Sequence, residues 1–92
     1  MRPTLDELHA RLAAALPQAQ IELADDSAAH AGHAGAAGGA GHYRARIVRQ
    51  AFDGLTRVAR HRLVYDAVTD WMPHRVHALV VVALTPAEAQ AR

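Results

Sequence analysis

Seven histidines stand in this chain of 92 residues, and no cysteine accompanies them. Any metal chemistry must therefore run through imidazole or carboxylate, because thiolate, the other common ligand for borderline metals, is missing. His30 and His33 lie three apart in a stretch of alanine and glycine, His42 closes that stretch, and His77 opens a long apolar run. A glycine-rich segment lets two ring nitrogens converge on one ion, while histidines in a polar loop are equally at home in water, so spacing leaves both readings open. His77 differs. Period-two alternation puts it on the same side as Leu79 and Val81, where an imidazole requires a hydrogen-bond partner or a ligand.

Other chemistries find little support. Ser27 is the only serine, with no base at a useful spacing and no acidic pair bracketing a cleft, so catalytic turnover is not expected. The glycines from Gly35 to Gly41 have no lysine among them and lead into a strand, whereas a phosphate loop leads into a helix N-terminus. Arg57, Arg60 and Arg62, around His61, form a basic cluster that invites a nucleic-acid reading, with Arg60 and Arg62 expected to reach solvent. Asp66 and Asp70 follow on the same segment, and ten basic against nine acidic residues leave a net charge of +1. A dedicated nucleic-acid binder carries a larger excess. His61 falls amid the apolar arc of Val58, Val64, Tyr65, Val68, Trp71 and Met72 and reads as structural. On the opposite side, Ala59, Leu63 and Ala67 make a small apolar stripe, either a partner-docking ridge or alanine bias around one leucine.

These residues need a scaffold, and at 92 residues that scaffold is one small domain, residues 1–92. Alanine supplies 22 of the apolar side chains, so the core must be thin. Thr4 and Glu7 form a capping box, and Leu5, Leu8, Leu12 and Leu16 follow at helical spacing until Pro17, which predicts a helix over 5–16. Residues 20–25 alternate as a strand, 26–42 read as a flexible Gly/Ala/His loop, and 43–49 alternate again with Tyr43, Ala45 and Ile47 inward. This second strand is expected to pair antiparallel with the first. Thr56 is a plausible cap for a helix from 57 to about 71, ended by Pro73, and 76–84 is a valine-rich strand closed by Thr85-Pro86. The order helix, strand, strand, helix, strand predicts an α+β sandwich, two helices on one face of a three-stranded sheet. No apolar leader and no window of ~18 apolar residues appears, so a soluble, cytoplasmic protein without membrane contact is expected.

With these elements in place, Phe52-Asp53-Gly54, Thr56, the run Arg60-His61-Arg62-Leu63-Val64-Tyr65 and Val76-His77-Ala78-Leu79 resemble the BolA family over nearly the whole chain. Asp26-Ser27 with His30, and then His42-Tyr43, look like the family's loop in the subgroup that carries histidine where others carry cysteine. The resemblance implies a class II KH-like αββαβ fold, in agreement with the order above. It also implies a heterodimer with a monothiol glutaredoxin around a bridging [2Fe-2S] cluster, to which glutaredoxin brings its cysteine and a glutathione thiol. His77 would be this chain's first ligand and His30 most directly the second, with His33 competing for that position and His42 a third choice. The implied role lies in iron-sulfur cluster assembly and trafficking and in iron or redox signalling, the free chain being a monomer or weak homodimer. Family members are also described as DNA-binding regulators of stress response and cell morphology. Residues 52–57 hold one glycine with no second three positions later, so the GXXG clamp of nucleic-acid-binding KH domains is missing.

A cluster held by imidazole should be lost in acid, because protonated imidazole cannot bind iron. The visible absorption of a reconstituted heterocomplex is expected to disappear below about pH 6, the range in which free histidine titrates. A spectrum unchanged from about pH 8 to about pH 5 would rule imidazole ligation out.

Overall fold

The computed structural model describes residues 2–30 and 40–91. The helix α1, Leu5–Ala15, begins at the expected capping box: Thr4 Oγ1 accepts from the Glu7 N–H at 3.0 Å, and the Glu7 carboxylate accepts from the Thr4 N–H at 2.9 Å. Leu8, Leu12 and Leu16 are buried almost completely. Each contributes roughly 1.5–3 kcal/mol through burial. The helix stops one residue short of the expected end, since Pro17 pushes the residue before it out of helical geometry.

Strand β1, Gln20–Asp25, pairs antiparallel with β2, Gly41–Val48, with Ile21 opposite Ile47 and Leu23 opposite Ala45. Strand β3, Val76–Leu84, lies parallel to β2 on its other side, giving the order β1-β2-β3. A parallel neighbour demands a crossover. The chain between 49 and 75 supplies it, with a 3-10 turn Gln50–Phe52, the helix α2, Arg57–Asp66, and a second 3-10 turn Thr69–Trp71. Tyr43, Ala45 and Ile47 face a core closed by Leu8, Leu12, Phe52, Val64, Val68 and Val76. The opposite face carries Arg44 and the exposed Val80 and Val82. The α+β fold is the expected one, two main helices over a three-stranded sheet.

Four details differ from expectation. The second helix ends at Asp66, because Ala67 and Val68 donate to Val64 and Tyr65, three residues back, at 3.1 Å. Such tight turns eclipse side chains three apart, which brings both Val68 and Trp71 onto the core. The second strand starts at Gly41, inside the expected loop, because Asp26 N–H reaches the His42 carbonyl at 2.7 Å and extends the hairpin. It ends at Val48, with Arg49 outside. A 3-10 turn, Ser27–His30, occupies the other end of that loop, whose centre, 31–39, lies outside the described residues. Finally, Thr85-Pro86 opens a third helix, α3, Pro86–Gln90, through a second capping box between Thr85 and Glu88.

Arg60 ties these pieces together, contrary to the expectation that it reaches solvent. It is 7% exposed, donating Nε to the Leu55 carbonyl and Nη1 to the Ala83 carbonyl, both at 3.1 Å, and to Glu88 Oε1 at 2.6 Å. The buried stripe of α2 therefore holds Arg60 and Val64, with Val68 continuing it past the helix end, and Val58, expected within the buried arc, stands 66% exposed. The Arg60 hydrogen bond, aided by the Thr85 N–H, lowers the Glu88 carboxyl to about 2 from an ordinary value of 4.5. A carboxyl depressed by folding stabilises the native state above its unfolded value and loses that contribution as pH falls through the folded one. Denaturant titrations should thus show a wild-type advantage over Glu88→Gln that is constant above about pH 5. It should fade between pH 4.5 and about 2. A difference insensitive to acid in that window would remove the ion pair as its cause.

Candidate functional site

The heads of β2 and β3 do not run in simple register. Gly41 is level with Val76 and His42 with Ala78, one step along β2 against two along β3, so His77 is an extra residue without a partner across the ladder. Such a bulge re-aims a side chain. Val76 and Leu79 are both buried, at 0% and 4%, although they lie three positions apart, which strict alternation forbids. The added residue absorbs the difference and turns His77 out to solvent. The expectation that His77 shares a buried face with Leu79 and Val81 is therefore corrected, and the bulge is the reason.

His42 follows from the other strand. Its neighbour Tyr43 faces the core, so His42 lies on the opposite face of β2, yet it is only 6% exposed. The His42 and His77 rings stand 5.2 Å apart between centroids, tilted by 49°. One imidazole is enclosed and the other open. The start of β2 is fixed from below: the Tyr43 hydroxyl donates to the Pro3 carbonyl at 2.6 Å, and burial pushes this hydroxyl up, keeping it a donor. A Cβ on Gly41 would collide with the Tyr43 ring, so glycine is required for close approach.

A corner of β1 grips the same strand end. Asp25 Oδ1 accepts from the Ser27 N–H at 2.8 Å; the Ser27 hydrogen bonds hold the Asp25 carboxyl below its usual range. Asp26 pairs with Arg44 at 2.6 Å, and Ser27 Oγ accepts from the His42 N–H at 3.1 Å. His30 is the last residue of the 3-10 turn that Ser27 begins. His33 lies outside the described residues.

The remaining sequence candidates sit on α2. Arg57 and Arg62 are exposed while Arg60 is buried against Glu88, so the basic cluster is split. Asp70, which follows Arg62 on the same segment, pairs with Arg11 at 2.6 Å. His61 is half-buried with its ring edge-on to Tyr65 at 6.4 Å, displaced from the arc centre assigned to it. Ala59 and Ala67 are half-buried and Leu63 is 40% exposed, in the helical layer and away from the sheet face that His42 occupies. Sequence reasoning missed Ser27 as a partner of His42. Ser27 stands fifteen residues before His42, so no local spacing signals the contact.

The model of the BolA-like protein family matches residues 12–88. This chain belongs to the BolA-like family. It is 43% identical over 78 residues to SufE-like protein 1, chloroplastic/mitochondrial, of Arabidopsis thaliana, covering 79% of this chain and 21% of that protein. It is 37% identical over 86 residues to BolA-like protein 1 of Mus musculus, covering 94% and 61%. This BolA-like chain thus spans about a fifth of the first relative's length and about three fifths of the second's. Among solved structures, the BolA domain of SufE1 from A. thaliana superposes with a TM-score of 0.76 at 40% identity, covering 90% of this chain and 92% of that one. The solution structure of mouse BolA1 gives 0.74 at 36%, covering 99% and 72%. Among the described residues, no helix is long and apolar enough to cross a membrane.

Two neighbouring positions should respond very differently to substitution. His77→Ala, at an exposed bulge, is expected to change stability by less than about 0.5 kcal/mol. Gly41→Ala should cost about 1–3 kcal/mol, because the Tyr43 ring has no room to move. Thermal and denaturant unfolding of both variants checks the contrast, and a Gly41→Ala protein as stable as wild type would show the head of β2 to be loosely packed.

Proposed function

We propose that this BolA-like protein contributes imidazole ligands to a [2Fe-2S] cluster shared with a monothiol glutaredoxin and glutathione, and acts in iron-sulfur cluster assembly, trafficking and signalling without turnover of its own. The carrying observation is the His42 and His77 pair, 5.2 Å apart, one ring enclosed and the other open to an incoming partner. A cluster of this type takes four ligands. Among the described residues no group of three or more His, Asp or Glu side chains could hold a metal ion, so the donor set fits half of a shared site and no more. When bound, the cluster supplies one-electron chemistry at a potential raised by imidazole ligation.

The residues divide the work by rigidity. His77 is held by β3 and needs no folding to present its ring, which suits a first ligand. The second imidazole comes from His42, already beside it, or from His30 at the end of the turn hydrogen-bonded to His42; His33 competes from the segment beyond. The DNA-binding reading is weakened by the burial of Arg60, which leaves Arg57 and Arg62 without the middle of their cluster.

Reconstitution with a monothiol glutaredoxin, glutathione, iron and sulfide tests the proposal. A visible circular dichroism spectrum that differs from that of glutaredoxin alone is expected for wild type and absent for His77→Ala, with His30→Ala, His33→Ala and His42→Ala identifying the second ligand. No partner-dependent spectrum from wild type would refute it.

A further inference from the structure

Antiparallel pairing of β1 with β2 makes Asp26 and His42 the next facing pair beyond Asp25 and Tyr43. Asp26 N–H donates to the His42 carbonyl at 2.7 Å, as the ladder requires. The reciprocal donor, His42 N–H, goes to Ser27 Oγ at 3.1 Å, because the chain has already left the strand for the 3-10 turn. Ser27 is 6% exposed, so its hydroxyl completes the ladder in a place where water does not substitute freely. The same residue begins the turn that ends at His30 and donates its own N–H to the Asp25 carboxylate. Two backbone segments bearing histidines therefore meet at one hydroxyl.

We propose that Ser27 is a positioning residue of the histidine site, fixing the head of β2, and with it His42, against the turn that carries His30. The inference rests on the shared-cluster reading for its consequence, but the clamp itself is a property of the unligated chain. Ser27→Ala keeps the fold's apolar core and removes the acceptor. Ser27→Thr keeps the acceptor.

The test has two arms. In the unligated protein, the His42 amide of Ser27→Ala should exchange with solvent roughly tenfold faster than in wild type, the loss of one buried hydrogen bond, and Ser27→Thr should restore the slow rate. In the complex with glutaredoxin and glutathione, Ser27→Ala should alter the position or sign of the visible circular dichroism bands, with Ser27→Thr like wild type. Glu88→Gln, which weakens the fold at the far end of the sheet, should leave those bands in place. Unchanged bands in Ser27→Ala, or the same change in Glu88→Gln, would overturn the positioning role. An unchanged His42 exchange rate would overturn the clamp. A wild-type complex with no cluster spectrum would overturn the shared-cluster reading instead, while the exchange arm still decides the clamp.

Discussion

The one-residue slip between β2 and β3 governs the rest of the candidate site. A parallel pair in uniform register would bury His77 together with Leu79 and expose Val76, or bury Val76 and expose Leu79, since alternation allows no other choice. Inserting one residue lets both apolar side chains enter the core and still brings an imidazole to the surface beside His42. The arrangement needs a backbone that approaches closely on the β2 side. Gly41 provides it, over a Tyr43 ring anchored on Pro3. A feature of β3 thus depends on a glycine in β2 and on a carbonyl before α1.

The two ends of the sheet are built by different means. At the histidine end, a hydrogen bond from the Asp26 N–H and another accepted by the Ser27 hydroxyl hold a strand whose neighbour is a turn. At the far end, a buried guanidinium gathers the start of α2, the end of β3 and α3. An arginine suits that place because its planar fork can satisfy two carbonyls and a carboxylate at once, where a lysine offers a single point. Glu88 serves both Arg60 and the Thr85 cap, so α3 is coupled to α2 although only five residues long. With alanine so abundant, specific polar contacts of this kind carry a larger share of the structural definition than they would over a thick core.

Much of the scaffold was legible because it rests on local rules. Thr4 and Glu7 mark a helix start wherever they occur, and the alternation of Tyr43, Ala45 and Ile47 states which face is covered. Thr85 and Glu88 repeat the same capping pattern, and α3 was missed only because the helix it opens is so short. The errors share a different origin. Placing His77 on the same side as Leu79 and Val81 assumed an uninterrupted period of two, and a bulge arises from pairing between residues more than thirty positions apart, which no local window contains. Exposing Arg60 assumed that charge points outward, whereas three acceptors from separate elements converge on it. The nearness of His42 to His77 is likewise a product of register, and spacing along the chain carries no trace of it.

That origin bears on what the site can be. A site made by register is made by two strands, and two strands at this position offer two imidazoles, one enclosed and the other open. The absence of cysteine from the chain prevents the set from being completed by thiolate within it. Carboxylates near the strand heads are already engaged, Asp25 by the Ser27 N–H and Asp26 by Arg44. On the proposed reading, an imidazole pair so placed would help to orient an incoming iron centre and, with two ligands out of four, would leave the rest of the set to the partner, as a shared ligand site requires.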